Sequence, residues 1–383
     1  MRTAFLTALL LLAAALPAAA QDKAKPNTLT PKEIADGWIL LFDGETTFGW
    51  KTQGPQAIDD GQWTLDGGSG IETFAHYGEG VIAFEYRQTG KERKADVQVQ
   101  GNPVGLLAVS DKTKWLDGYF VIKDNKLTRV LRGKSIGDKD AKYPVATKPL
   151  SAGSIGFSVP IGSQLPLRNI KFLPGSTTSL FNGKDLTGWK AFPNKTSVFT
   201  VEDGCITCKN GPGDLQTEGK YANFVLQLEC KSNGKHLNSG IFFRCKANEY
   251  QNGYEAQIHN NFTADPPKEY TVEEYDPETH KLTGKKKVTS AATDYGTGAI
   301  YRRVPARKDV AKDGEWFTMT IVAHGNHIAT WVNGIQQVDW YDNRPANENP
   351  RNGCRLEAGH ISIQGHDPTT DLSFRNIRIA ELP

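Results

Sequence analysis

After residue 20 the chain has no apolar run long enough to span a bilayer. It also lacks an excess of either charge. Its 45 basic residues stand against 43 acidic ones, a formal net charge of +2, so neither nucleic acid nor an anionic membrane surface is expected as a partner. Long helical patterns are scarce. There is no nucleophile elbow, phosphate loop, HExxH helix or EF-hand loop. A GxGxxG unit is missing too, so any redox step is expected to belong to another protein. Cysteine is sparse: Cys205, Cys208, Cys230, Cys245 and Cys354 all lie in the second half, and an odd number leaves one thiol over. Cys205 and Cys208 have C-x-x-C spacing without a second pair or a nearby histidine, which argues against zinc.

What is present points to strands. Gly 38, Pro 20 and 10% aromatics describe a turn-rich all-β protein, and 383 residues suggest two domains. Residues 1–20, MRTAFLTALLLLAAALPAAA, have the charged start, apolar run and small-residue end of a signal peptide, so the mature protein is expected to be exported, periplasmic or extracellular. Thr30 is placed to cap a short helix from Pro31 to Asp36.

The chain repeats itself. GWILLFDGETTFGWK (37–51) parallels SLFNGKDLTGWKAF (179–192), and LRNIK near Pro174 answers FRNIR near the C-terminus. The expected division is 37–174 and 179–383, with a short Gly/Ser/Thr linker between them. Short alternating strands and tight turns such as Asn333-Gly334 argue for a β-sandwich in each half. Trp50 and Trp189, repeated in both halves, read as core. The second half carries an insertion at 261–297, charged and turn-rich, which reads as an irregular loop placed to cover a groove or to stand free in solvent.

The most informative stretch is LNSGIFFRCKANEYQNGYEAQIHN, 237–260. It reads as two strands and a loop. Period-two alternation places Glu255, Gln257 and His259 on one face, with Arg244 able to join them from the neighbouring strand. A carboxylate, an amide and an imidazole on one face suggest the floor of a polar groove. A wet sheet face, with Arg244 and Glu255 paired across it, would give the same pattern.

Taken in order, several pieces make the second half resemble the 3-keto-disaccharide hydrolase domain. They are LFNGKDLTGW (180–189), NSGIFFR (238–244), YEAQI (254–258), GAIY (298–301), GEW (314–316), WVNG (331–334), GHISIQGH (359–366) and FRNIR (374–378). The first half matches only at its ends and so resembles a degenerate second copy. The resemblance implies an all-β protein of two concanavalin-like β-sandwich (jelly-roll) domains in tandem. It also implies a site for glycosides already oxidised at C3, and a separate sugar-oxidising dehydrogenase that supplies them.

A 3-keto sugar is acidic at C2. Removal of that proton gives an enediolate that expels the C1 substituent, and water can add back. Such a site needs a base, donors for the enediolate and an acid for the leaving group. Glu255, His259 and His366 are the candidate catalytic residues, with Glu255 or His259 as base and His366 as acid. Arg244, Gln257, Tyr301, Gln364 and Asn238 are candidates for binding a glycoside or oligosaccharide. A divalent metal held by Glu255, His259 and His366 is conceivable, and the sequence points to no other cofactor. The rival reading is a carbohydrate-binding or envelope interaction protein without chemistry. Conventional glycosidase chemistry needs two flanking carboxyl groups, and the motif strands offer only Glu255.

Overall fold

A computed structural model describes residues 25–131, 141–145 and 149–383. The expected signal peptide lies outside the described residues. The helix Pro31–Asp36 closes with a capping box between Thr30 and Glu33, and Gly37 ends it at φ 94°. Among the described residues everything else with regular structure is strand.

Each half is built from two facing sheets. In the first, a nine-stranded sheet opposes the five strands Trp50–Gln53, Gly70–Thr73, Ile155–Ser158, Asp96–Val99 and Asn102–Gly105. In the second, an eight-stranded sheet opposes Trp189–Ala191, Gly213–Thr217, His360–Gly365, Ser239–Cys245 and Tyr254–Ile258. Apart from the short extra strand Thr89–Gly90 of the first half, the order along both sheets is the same in the two halves. Inner faces meet in a core: Trp63, Phe84 and Phe172 against Ile71, Val97 and Phe157 in the first half, Ile206, Leu226 and Phe374 against Ile241, Ala256 and Ile363 in the second.

The repeated motifs hold equivalent positions. Trp50 and Trp189 are buried, and each indole donates to the carbonyl nine residues before it, Leu41 and Leu180. Arg168 and Asn169 both bond to Glu85, as Arg375 and Asn376 both bond to Glu229, where the last strand bulges against its neighbour. Asn169 and Asn376 stand at φ 54° and φ 51°, a backbone state that asparagine tolerates better than most residues. The R-N-I repeat is therefore a clamp across a bulge.

The halves meet over the outer face of the eight-stranded sheet. Alternate residues of Phe224–Ser232 serve two cores: Leu226 and Leu228 face their own, while Val225 faces the first half. Val322, Ala329 and Trp331 join it there. The Trp331 indole donates to the Leu40 carbonyl at 2.9 Å, and Gln227 donates to the Gly37 carbonyl at 2.8 Å. Trp331 is thus core of the joint.

The insertion differs from its sequence reading. It forms a hairpin, Lys268–Tyr275 with Leu282–Ser290. The charges that suggest a loop pair across it, Lys285 with Glu273 at 3.6 Å and Lys287 with Glu269, while Tyr270 stands opposite Val288. Asn343 holds its outer end by donating to the Tyr275 carbonyl at 3.4 Å.

Candidate functional site

The joint uses one outer face of the second sandwich. The other, on the five-stranded sheet, carries the polar residues. In Tyr254–Ile258 the apolar Tyr254, Ala256 and Ile258 belong to the core, which turns Glu255 and Gln257 outward. The neighbouring Ser239–Cys245 buries Ile241 and Phe243 in the same core.

Register sets the outward residues in rows. Phe242 pairs with Glu255 on one side and Ser362 on the other, and Ser362 pairs with Gln216. In the next row Gly240 pairs with Gln257, and Gln364 with Asp214. The register that sets Ile241 against Ile363 puts Gly240 opposite Gln364. Continued one step further, the same register brings Asn238, His259 and His366 to one end of this face. With no side chain of its own, Gly240 leaves the space into which the Glu255 side chain leans.

This polar face is buried. Gln257 and Gln364 are 0% exposed, Asp214 is 2% and Glu255 is 5%. Buried polar atoms normally have partners. Here Asp214 Oδ1, Gln257 Oε1, Ser362 Oγ and both side-chain polar atoms of Gln364 have none. The Tyr250 hydroxyl, on the loop between the two strands, approaches Gln364 without a well-formed hydrogen bond. Donors and acceptors held ready on one floor are what a hydroxyl-rich ligand would satisfy.

Two carboxyl groups face this floor. Burial pushes Glu255 up to about 7, against the pull of Arg351, whose Nη2 donates to Oε2 at 2.7 Å. Burial also pushes Asp214 up to about 7, with only the Gln251 backbone N–H donating to it, at 3.2 Å. Tyr250 rises to about 12 through burial and then the nearby Asp214. Burial lowers His259, whose Nε2 lies 3.7 Å from Asp294.

The residues singled out in the sequence fall in different places. Glu255, Gln257 and Gln364 share the buried outer face of the five-stranded sheet. Asn238, with a buried and unpartnered Oδ1, sits at its end with His259. Tyr301 flanks it: its N–H donates to the Glu255 carbonyl at 3.0 Å, and Arg351 lies 5.7 Å from its ring. His366 is a third exposed and is held through Nδ1 by Asp367 at 2.8 Å. Arg244 is a correction. It sits at a bulge with φ 54°, and its guanidinium donates to the carbonyls of Ala222 and Arg355 at 2.9 and 2.8 Å. The bulge breaks the alternation that would have set it beside Glu255, and Arg351 takes that place. Glu255, His259 and His366 are each engaged separately, and among the described residues no three His, Cys, Asp or Glu side chains are gathered to hold a metal.

Asp214, Tyr250, Arg351 and Gly240 escape the sequence reading. Asp214 follows GPG and looks like part of a turn; the polar-apolar-polar run Asp214, Leu215, Gln216 was the available signal. Arg351 lies in a loop and gave none. Gly240 makes a sharp prediction. A Cβ there would stand 2.8 Å from Glu255 Cγ and 2.9 Å from Oε1, although the backbone itself is not left-handed. For any reaction that uses the Glu255 carboxyl, Gly240→Ala is expected to lower the rate about 100-fold by displacing that group, at a stability cost of about 1–3 kcal/mol from over-packing. Kinetics with thermal unfolding check this, and an unchanged rate would mean that the position of Glu255 is immaterial.

In the first half the same register positions are bare. Pro103 and Gly105 stand opposite Gln98 and Asp96 where Glu255 and Gln257 stand opposite Phe242 and Gly240, and Gly70 pairs with Ser158 where Asp214 pairs with Gln364. A larger cavity, about 760 Å³, lies between the hairpin, the 304–309 segment and Ile335–Tyr341, with Phe48 of the first half in its wall. It shares no lining residue with the Glu255 cleft.

Residues 176–380, more than half of the chain, match the family described as the 3-keto-alpha-glucoside-1,2-lyase-like domain. A 3-keto-disaccharide hydrolase of Bacteroides thetaiotaomicron is 28% identical over 235 residues, which cover 53% of this chain and 78% of that protein. Among solved structures, a Parabacteroides distasonis protein provisionally assigned as a glycosyl hydrolase is 24% identical, covers 54% of this chain and 94% of its own, and has a TM-score of 0.40. A carbohydrate-binding module from Bacillus subtilis is 12% identical over 50% of this chain and 93% of its own, with a TM-score of 0.30.

Proposed function

The chain belongs to the 3-keto-alpha-glucoside-1,2-lyase-like domain family, and on that premise we propose that it cleaves 3-keto glycosides at C1 by proton abstraction from C2 and elimination. The observation that carries this reading is Glu255. It is a buried carboxyl held near neutrality, beside Arg351 and at the edge of a floor of unpartnered polar atoms. A base of that strength is matched to a carbon acid activated by a ketone. Glu255 takes the C2 proton. Gln257, Gln364 and Ser362 bind the sugar hydroxyls, and the Arg351 guanidinium, already at the carboxylate, offsets the negative charge as it moves onto the enediolate. Asn238, His259 and His366 line the end of the groove, where they contact the second sugar or aglycone. The first sandwich is a duplicated copy that has lost the polar face and supports the second through the joint. Residues 1–20 direct export, and a separate dehydrogenase supplies the 3-keto substrate.

The test is turnover by the purified chain of a 3-keto glucoside beside the unoxidised glucoside, with and without chelator. Release of the aglycone from the keto compound alone is the expected result. Release from neither, with binding detected by calorimetry, would replace this reading with a carbohydrate-binding one.

A further inference from the structure

The elimination needs an acid at the departing oxygen, and the acid suggested by sequence, His366, sits at the end of the groove in an ion pair with Asp367. Another group is better placed. Asp214 lies on Gly213–Thr217, with His360–Gly365 and Ser239–Cys245 between it and the Glu255 strand. Three strand spacings separate the two backbones, about 14 Å. Leu215, beside Asp214, is in the core, so Asp214 stands on the same outer face as Glu255. Between them lie Gly240, over which the Glu255 side chain leans, the buried Phe242, and the buried, unpartnered Gln364 and Ser362. The two carboxyl groups thus flank the floor from opposite sides, and Asp214 keeps Oδ1 free of any partner.

Resting on the function proposed above, we propose that Asp214 is the acid that protonates the glycosidic oxygen as it leaves C1, working across the groove from Glu255 as base. The surroundings separate the two roles. Glu255 has a guanidinium in hydrogen-bond contact, which favours its carboxylate. Asp214 has no cation in contact; Lys195 and Arg351 act on it only from a distance, while the buried thiols of Cys208 and Cys245, the Tyr250 phenol and Glu255 lie near enough to feel its charge. Burial raises it to about 7, as it does Glu255, so the roles are assigned by contact: a guanidinium at Glu255, and an oxygen without a partner at Asp214.

The step balances. Glu255 takes the proton from C2, and the C–H electron pair delocalises into the enediolate. The C1–O bond breaks, its electrons go to the departing oxygen, and Asp214 gives that oxygen its proton. The products are the alcohol and a 3-keto sugar with a C1–C2 double bond. Where water adds back, the Asp214 carboxylate removes a proton from it as its oxygen bonds to C1, and Glu255 returns the proton to C2. Both carboxyl groups end as they began.

The test uses Asp214→Asn and two 3-keto glucosides, one with methanol and one with nitrophenol as leaving group. The expected loss in kcat/KM is about 10³-fold for the methyl compound and under about 10-fold for the nitrophenyl compound, which needs little protonation. The alkaline limb of the pH profile should disappear in the variant with the nitrophenyl substrate. Equal losses on both substrates, or an unchanged alkaline limb, overturn the role of Asp214 while leaving the elimination itself standing. Inertness of the wild type toward both substrates overturns the parent reading and this role with it. Should Asp214→Asn fail to fold, the wild-type rate across a series of leaving groups decides: a shallow dependence on leaving-group acidity is expected, and a steep one rules out protonation by any acid of the protein.

Discussion

Glu255→Gln is expected to lower kcat/KM for a 3-keto glycoside by about 10³-fold and to leave the protein folded. Glutamine keeps the shape and can still accept from Arg351, but it cannot take a proton. The same substitution has a second signature. Burial raises the Glu255 carboxyl from 4.5 to about 7 in the folded protein. Folding therefore favours its protonated form. That contribution is whole below about pH 4.5 and is lost as pH rises through 7, at about 1.4 kcal/mol per unit and up to about 3 kcal/mol in all. Wild type should then lose ground to Glu255→Gln between pH 5 and pH 8.5, while wild-type kcat/KM rises over the acid side of that range as the base ionises. Denaturant unfolding at the two pH values measures the first effect, and a pH–rate profile the second. Parallel stability curves would show that the carboxyl is ionised throughout, and an active Glu255→Gln would end the proposed mechanism.

Trp331→Ala is expected to cost about 3–5 kcal/mol, the range for losing a buried aromatic side chain. Trp331 is 1% exposed and lies in the core shared by the first half and the outer face of the second half's eight-stranded sheet. Its loss also strips the Leu40 carbonyl of the indole donor. Since the groove is on the opposite sheet, kcat/KM below the unfolding transition should stay within about 3-fold of wild type. Thermal and denaturant unfolding check the first part. A loss under about 1 kcal/mol would mean that the halves are held together by something else, and a large loss of turnover in the folded variant would mean that the first half acts on the site.

Much of the fold is legible from neighbours in sequence. Thr30 and Glu33 cap the helix they flank, and Asn333-Gly334 adopts the left-handed pair that a tight hairpin requires, φ 47° and φ 76°. Tyr254, Ala256 and Ile258 go inward because period two leaves them no other face. The hairpin at 268–290 was misread because its charges pair with residues ten to twenty positions away, beyond any local pattern. Arg244 was misplaced for a related reason: a bulge in the pairing with His360–Gly365 reverses its direction, and nothing in FFRC announces a bulge.

By itself the sequence determined two tandem β-sandwiches, the family of the second, and the strand that carries Glu255 and Gln257. These follow from alternation, turn residues and motif order, all set within a few residues or by simple succession. Only the tertiary structure decided which groups meet Glu255. Asp214 reaches the floor across three strand pairings, Arg351 comes from a loop 96 residues on, and Gly240 matters for the space it leaves. Such meetings depend on which strands lie side by side and in what register, and residues so far apart along the chain leave no periodic trace of the contact they make.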